Sequence, residues 1–337
     1  MTGTSTLSKY GRSARTSSDY ANTDVGPMRI MRTLCFGEIL WDIIGGQPYI
    51  GGAPFNLAAH LARMGASSYF ISAVGEDELG SRALTRAAEL GVATDYIVRH
   101  PGRATGTVDV RLSETGQPDY TIHEPAAWDD IVLRDGTTQA LAAAQWDFFC
   151  FGTLAQRSEE NRASLAQALK AARPREVVYD VNLRQHFFEK AWIDESLKVA
   201  SIVKLNAQEA DLLGAVLFGE ELNAEDFCNR IGESFDVRII SLTEGADGAS
   251  VWVRGSMAWV PGVEVAVADT VGAGDAFTAG FIFALDAGKS PVEATRIACR
   301  VGAWVASCRS AVPDYTDEIT SVLEDVRREQ MARQSRS

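Results

Sequence analysis

The chain has 337 residues, of which 46% are hydrophobic, and a formal net charge of −13. A chain of this length can bury one large α/β core or two small ones. The acidic balance argues against nucleic acid as a partner, because such binding needs a concentrated basic surface, but it does not exclude phosphate ligands held by local amides, cations or metal.

Residues 1–30 differ in composition from the rest of the chain. Thr, Ser, Gly and Arg dominate residues 2–23, and such a segment cannot bury enough apolar surface to fold. We expect a disordered leader, which is either foreign to the protein, an over-long start before Met28 or Met31, or a targeting segment. It lacks the apolar stretch of a secretory signal.

Two further features of the composition indicate the compartment. No apolar run reaches the roughly 18 residues that a membrane span requires. The five cysteines are scattered without the spacing of metal ligands, and an odd number of them suits a reduced environment. We therefore expect a cytoplasmic protein without a membrane partner.

From residue 31 onwards, short β-rich runs alternate with helical patterns. Strands are predicted at residues 33–36, 68–73, 148–151, 177–181, 202–205 and 237–242, and helices at residues 56–64, 79–90 and 158–172. This alternation predicts a doubly wound α/β fold with a mainly parallel sheet flanked by helices. Ligands of such sheets gather at the carboxyl ends of the strands, where we expect Asp42, Asp180 and Asn206 to converge.

Two segments break this rhythm. Residues 102–128 lack a helical period; residues 105–112 alternate, a turn follows at 114–116, and the chain returns at 120–123, which predicts a hairpin. Residues 43–51, around Gly45 and Gly46, are expected to add further extended pieces.

Residues 269–277 are the most informative segment, because they place two acids and three small residues before a helix. Upstream, Val263, Val265 and Val267 alternate as in a strand, and from Ala273 onwards apolar residues recur with a helical period. The segment therefore predicts a junction between a strand and the following helix.

This junction has the chemistry of a phosphate site. Gly272 and Gly274 allow close backbone approach, and the unpaired N–H groups of a first helical turn bind anions. A helix cap needs one acid only, so Asp269 and Asp275 together favour a phosphate site with its own base.

In these features the chain resembles the ribokinase-like (PfkB-type) carbohydrate kinases. Residues 269–277 resemble the family's C-terminal signature, residues 51–58 its N-terminal signature and residues 36–42 its first strand. Further similar motifs follow in the family's order, at residues 74–77, 180–184, 204–209 and 243–248.

The resemblance covers roughly residues 32–325, which leaves residues 326–337 as a polar tail. It implies a ribokinase-like kinase domain over residues 31–325. It also implies a small β-strand lid over the sugar, formed by about residues 43–51 and 102–128, and a homodimer that forms through this lid.

The activity that the resemblance implies is transfer of the γ-phosphate of ATP to a sugar. Asp275 would be the general base, and the amides of Gly272, Ala273 and Gly274 would hold the phosphoryl oxygens. The implied sugar contacts are Asp42, Gly52, Asn56, Arg184 and His123. Structural alternatives stay open: a helix cap for Asn56, a strand-end turn for Asp42 and a solvated surface charge for Arg184.

The resemblance also implies a nucleotide and metal region. The implied nucleotide contacts are Thr243, Gly245, Gly248, Asn206 and Thr270. Asn206 and Glu209 would organise Mg²⁺ through waters, although Glu209 equally fits the third residue of a capped helix and Thr243 to Gly248 a simple turn. Asp269 is the implied contact of a monovalent cation such as K⁺, but Ser310 stands where the family has a glycine, which leaves this cation open.

The substrate follows from the finest part of the resemblance. Residues 51–54, 120–129 and 151–158 look most like those of fructokinases, so D-fructose phosphorylated at its 6-hydroxyl is the first choice. Ribose, 2-keto-3-deoxygluconate and nucleosides stay open as acceptors, as does a non-catalytic sugar sensor. A dinucleotide-binding oxidoreductase fits less well, because the first strand is not followed by G-x-G-x-x-G. Lys204 and His60 are assigned no functional role.

Overall fold

The structure is a computed structural model that describes residues 29–112 and 118–334. The predicted leader, up to residue 28, lies outside the described residues. The strands are β1 (Arg32–Phe36), β2 (Leu40–Ile44), β3 (Gln47–Gly51), β4 (Ser67–Gly75), β5 (Val92–Ala93), β6 (Ile97–His100), β7 (Gly106–Leu112), β8 (Pro118–Ile122), β9 (Phe148–Gly152), β10 (Glu176–Asp180), β11 (Ile202–Asn206), β12 (Ile239–Thr243), β13 (Gly248–Val253) and β14 (Ser256–Pro261). The α-helices are α1 (Ala53–Arg63), α2 (Glu78–Glu89), α3 (Thr137–Ala143), α4 (Glu159–Ala172), α5 (Lys190–Val199), α6 (Ala207–Leu213), α7 (Ala224–Phe235), α8 (Ala273–Asp286), α9 (Pro291–Ala306) and α10 (Asp317–Gln334).

The main sheet is ten-stranded within the described residues, and it is mainly parallel as predicted. Its order is β14-β13-β12-β11-β10-β9-β1-β4-β5, and β6 also pairs with β4. All pairs from β12 to β5 are parallel, whereas β13 and β14 form an antiparallel edge. The carboxyl ends of β1, β9, β10, β11 and β12 therefore meet at one edge.

Helices cover both faces of this sheet. Side chains of α1, α2, α8, α9 and α10 share one core cluster with the sheet, and those of α3 to α7 share the other. Because both faces are buried, strand β9 is almost entirely apolar; it is built from Phe148, Phe149, Cys150, Phe151 and Gly152.

A second, four-stranded sheet has the order β3-β2-β7-β8. β7 and β8 form the antiparallel hairpin that the alternation predicted, and the predicted turn at residues 114–116 lies outside the described residues. β2 pairs parallel with β7 and antiparallel with β3, so residues 43–51 do contribute extended pieces.

One sequence-based prediction was wrong. The alternation of Val263, Val265 and Val267 does not form a strand: β14 ends at Pro261, and Val263 and Val267 are 40% and 62% exposed. β14 already forms the sheet edge, so this segment has no strand beside it. The predicted polar tail from residue 326 begins inside α10, which continues to Gln334.

Candidate active site

The glycine-rich turn lies at the start of α8. Gly272 is the residue before the first helical position and has φ 79°, and a Cβ there would lie 2.6 Å from Cα of Ala311. Only glycine fits both constraints. Ala273 and Gly274 open the helix, and their N–H groups belong to the first turn, which has no intrahelical acceptors for them. Thr270 precedes the turn, and its carbonyl accepts a hydrogen bond from the N–H of Ala273 at 3.2 Å.

Asp275 is buried in this first turn, where Asn56 of α1 reaches it. Nδ2 of Asn56 donates to Oδ2 of Asp275 at 2.9 Å. Burial raises the pKa of Asp275 to about 6, with Asp180 adding to the shift while Asn56, Lys204 and Arg184 oppose it. A carboxyl with such a pKa is suited to accept a proton near neutral pH. The helix-cap alternative for Asn56 is wrong, because α1 begins at Ala53 with Gly52 as its N-cap.

A buried ion pair lies beneath the turn and was missed by the sequence analysis. Nζ of Lys204 lies 3.1 Å from Oδ1 of Asp180, and the hydroxyl of Thr278 donates to Oδ2 of Asp180 at 3.2 Å. A Cβ on Gly274 would lie 3.4 Å from Nζ of Lys204. Burial lowers the pKa of Lys204, but Asp180, Glu209 and Asp275 together hold it above its ordinary value. The Lys204 ammonium therefore stays charged beneath the glycine-rich turn.

Asp42 enters the site from the small sheet. It lies in the middle of β2, opposite Tyr49 of β3 and Val108 of β7, and not at the end of a main-sheet strand as expected. Burial raises the pKa of Asp42 to about 6, against the effect of Arg184. A Cβ on Gly51 would come within 2.5 Å of its Oδ2, so the backbone beside Asp42 leaves little room.

Gly52, just before α1, lies against the backbone of Glu38, just after β1. Gly52 has φ 107°, and a Cβ there would lie 2.4 Å from the carbonyl oxygen of Glu38. Burial raises the pKa of Glu38 to about 7. The sequence analysis assigned no role to this acid.

The two remaining predicted sugar contacts have different environments. Arg184 is exposed in the loop after β10, and its charge lowers the pKa of Glu38, Asp42 and Asp275. Its guanidinium is therefore within electrostatic range of all three acids. His123 follows β8 and is half exposed, with Nε2 3.2 Å from the carboxylate of Asp109 in the same small sheet.

Asn206 and Glu209 start α6 as a capping box. The side chain of Asn206 accepts from the N–H of Glu209 at 2.8 Å, and the Glu209 carboxylate accepts from the N–H groups of Asn206 and Leu183 at 2.8 and 2.7 Å. Glu209 therefore has the geometry of the third residue of a capped helix, which is the structural alternative to a metal role. Within residues 29–112 and 118–334, no three His, Cys, Asp or Glu side chains are grouped to hold a metal.

The predicted nucleotide contacts Thr243, Gly245 and Gly248 lie at the connection from β12 to β13. Gly248 has φ 126°, and a Cβ there would lie 2.2 Å from the carbonyl oxygen of Val260. Gly245 has φ 63° and faces open space. Gly248 is thus required by the turn itself, whereas no described residue lies within 4 Å of a Cβ built on Gly245.

The segment around Asp269 packs against the carboxyl end of α9. Oδ1 of Asp269 accepts from the N–H of Val271 at 3.0 Å, and the N–H of Asp269 donates to the carbonyl of Ala306 at 3.2 Å. Ser310 does not have a positive φ, so the serine causes no backbone strain here. Cation binding at Asp269 stays a prediction.

A family model matches most of the chain. The model for pfkB family carbohydrate kinases matches residues 36–318. The fructokinase of Escherichia coli is 30% identical over 246 residues, which is 71% of this chain and 77% of that protein.

Solved structures show the same fold. A fructokinase from Xylella fastidiosa with bound ATP superposes with a TM-score of 0.76 at 24% identity, over 87% of this chain and 98% of that one. A fructokinase from Vibrio cholerae with fructose, ADP and calcium ion superposes with a TM-score of 0.75 at 24% identity, over 87% and 99%. The predicted ribokinase-like fold is confirmed. Among the described helices, none is long and apolar enough to cross a membrane.

Proposed function

Since this chain belongs to the pfkB family of carbohydrate kinases, we propose that it transfers the γ-phosphate of ATP to D-fructose and yields fructose 6-phosphate. Its family makes it a sugar kinase. That ATP is the phosphate donor, that D-fructose is the acceptor and that the residues act as described below is what we propose. The supporting observation is the 2.9 Å hydrogen bond between Asn56 and Asp275, because it joins the N-terminal sugar motif to the C-terminal phosphate motif.

Asp275 would act on the acceptor hydroxyl. With a pKa of about 6, its carboxylate is largely ionised at neutral pH and can take the proton as the hydroxyl attacks. Asn56 holds one carboxylate oxygen, which leaves the other for the acceptor. Asp42 and Gly52 would position the sugar from two sides.

The phosphoryl group would be held by the start of α8. Main-chain N–H groups of Gly272, Ala273 and Gly274 and the dipole of the helix stabilise charge that develops on the phosphoryl oxygens. Lys204 contributes a buried positive charge beneath them, and Arg184 an exposed one. Mg²⁺ bound to the ATP phosphates would neutralise further charge, with Asn206 and Glu209 positioned to accept hydrogen bonds from its waters.

D-Fructose is proposed from two kinds of support. The chain resembles fructokinases at residues 51–54, 120–129 and 151–158, and the Escherichia coli relative named above carries that activity in its name. Ribose, 2-keto-3-deoxygluconate and nucleosides are the competing acceptors.

We also propose a cytoplasmic location and a homodimer that forms through the small sheet. The five free cysteines agree with a cytoplasmic location. Analytical ultracentrifugation tests the homodimer.

ADP release measured over a sugar panel tests this function. We expect sugar-dependent ADP release with the highest kcat/KM for D-fructose, and a 6-phosphate product by NMR. A higher kcat/KM for one of the three competitors would replace the acceptor but keep the kinase. Calorimetric sugar binding without any ADP release would favour the sugar sensor instead.

A further inference from the structure

A small recess adjoins the proposed acceptor site. It lies where β1, β9 and β10 end against the first turn of α1, and its volume is about 10 Å³, roughly the room of one water molecule or one hydroxyl oxygen. Most of its wall is apolar. Its polar groups come from Glu38, Thr153, Asp180 and Asn182.

Two of these four groups already have partners. The hydroxyl of Thr153 bonds the carbonyl of Val181 and the hydroxyl of Tyr179. Asp180 is held by Lys204 and Thr278, as described above. The side chains of Glu38 and Asn182 are therefore available to bind an atom that occupies the recess.

Glu38 is a buried acid with a free oxygen. The residue is 4% exposed, and its Oε2 has no hydrogen-bond partner among the described residues. The backbone N–H groups of Glu38 and Ala53 oppose the rise in the pKa of this carboxyl. The charges of Asp275 and Arg184 both act on Glu38, so Glu38 is within electrostatic range of the proposed base. A buried oxygen without a partner is unfavourable, so a ligand atom that pairs it would bind well.

Asn182 also lines the recess, in an uncommon backbone conformation. Its φ is 40°, in the left-handed region that Asn tolerates better than most residues. No hydrogen bond of its amide to another described residue is present. The amide can both donate and accept, so it complements a carboxylate around a single hydroxyl group.

We propose that Glu38 and Asn182 form a subsite for one hydroxyl group of the acceptor and that Glu38 thereby selects the sugar. The hydroxyl donates to Oε2 of Glu38, while the Asn182 amide donates to the hydroxyl oxygen. The subsite rests on the proposed sugar-kinase function and deepens it. A water molecule offers the same chemistry, so the test must separate a water from a substrate hydroxyl.

Glu38→Gln is the informative variant, because it keeps the shape of the side chain and removes the carboxylate. Its amide oxygen can still accept from the N–H of Ala53, which acts on the Glu38 carboxyl. Its N–H₂ group then faces the recess and cannot accept from a hydroxyl. Asn182→Gly is the second variant: glycine adopts φ 40° without strain, so the fold is retained while the amide is lost. Glu293→Gln, which alters the exposed capping box of α9, is the matched control.

Steady-state kinetics give the first result. Loss of a hydrogen bond to a charged group corresponds to about 10- to 100-fold in affinity. We expect KM for the sugar to rise about tenfold or more in Glu38→Gln and Asn182→Gly, with KM for ATP within about twofold of wild type and no change in Glu293→Gln. Unchanged sugar KM in both variants would overturn the subsite.

Mono-deoxy analogues of the preferred sugar separate a substrate hydroxyl from a water. One analogue should lose about tenfold or more in kcat/KM with the wild type, and that loss should largely disappear in Glu38→Gln and in Asn182→Gly, because the partner is already gone. If every analogue loses as much in the variants as in the wild type, water occupies the recess and the inference is wrong. Wild type that phosphorylates no sugar would defeat the proposed function as well, whereas active wild type with unaltered variants defeats the subsite alone.

Discussion

The hydrogen bond from Asn56 to Asp275 gives the most specific prediction. In Asn56→Leu the amide donor is lost and a side chain of similar size remains. Oδ1 of Asn56 is buried without a partner among the described residues, so the variant also removes an unpaired oxygen, and we expect the protein to stay folded. The donor stabilises only the charged form of Asp275, so its loss raises the pKa of Asp275 above about 6.

The size of this shift follows from the contact. A hydrogen bond to a charged acceptor contributes about 1.5–3 kcal/mol, which corresponds to about one to two pKa units. A base works when deprotonated, so activity falls as pH decreases through its pKa. The acidic limb of the kcat/KM profile should therefore move from near pH 6 in the wild type to about pH 7–8 in the variant.

ADP formed by wild type and Asn56→Leu, quantified by chromatography at saturating ATP and limiting sugar between about pH 5 and 9.5, gives the two profiles. Asp42→Asn is the matched control, because it removes the other site aspartate with a pKa of about 6 and leaves the bond to Asp275 intact. The reasoning is refuted if Asn56→Leu keeps the limb of the wild type, or if Asp42→Asn moves it by the same amount.

Three further predictions concern the sugar side, the metal and stability. Asp42→Ala should raise KM for the sugar by about 10- to 100-fold and KM for ATP far less. Gly51→Ala, whose Cβ would lie 2.5 Å from Oδ2 of Asp42, should also raise KM for the sugar. An equal rise in KM for ATP would remove Asp42 from the sugar site. A chelator should abolish turnover but barely change Tm without nucleotide, since the described part of the chain holds no protein metal cluster; a large loss of Tm would reveal a structural metal. Glu38 has a pKa raised from 4.5 to about 7, so its contribution to stability is present below pH 4.5 and is lost as pH rises through 7. The loss is about 3 kcal/mol of unfolding free energy. The Tm of Glu38→Gln relative to wild type should therefore increase between pH 4.5 and 7, and a constant Tm difference would contradict the raised pKa.

The parallel core of the fold could be predicted because its signals are local. Runs such as residues 148–151 and 177–179 are apolar, and the helices between them have a clear period. The failure at Val263 to Val267 has a physical reason: alternation describes one strand, but a strand also needs a neighbour, and β14 is already the edge. Which strand forms the edge depends on the order of the whole sheet.

The site was predictable at the level of motifs and less so at the level of contacts. The structure brings Asn56 and Asp275 together across 219 positions of sequence, which agrees with motifs expected at one edge. That Asn56 holds Asp275, and does not cap a helix, depends on how α1 packs against α8. Sequence spacing within either helix carries no such information.

Lys204 and Glu38 show what sequence reasoning missed. Lys204 lies directly beside Asp180 in the register of β10 and β11, and an Asp and a Lys at the ends of two predicted strands were the available signal. Glu38 lies within the motif at residues 36–42, yet its burial and its free oxygen come from the packing of α1 over the end of β1. Neither property has a sequence pattern of its own.

The role of Asp275 is the central claim, and the turnover of Asp275→Asn with D-fructose and ATP tests it most directly. The amide keeps the shape and can still bond Asn56, but it cannot take a proton. We expect kcat to fall by about 100- to 10,000-fold, with sugar binding by calorimetry and Tm close to those of the wild type. Folded Asp275→Asn with a kcat near the wild-type value would contradict the account, because Asp275 would then not be the base.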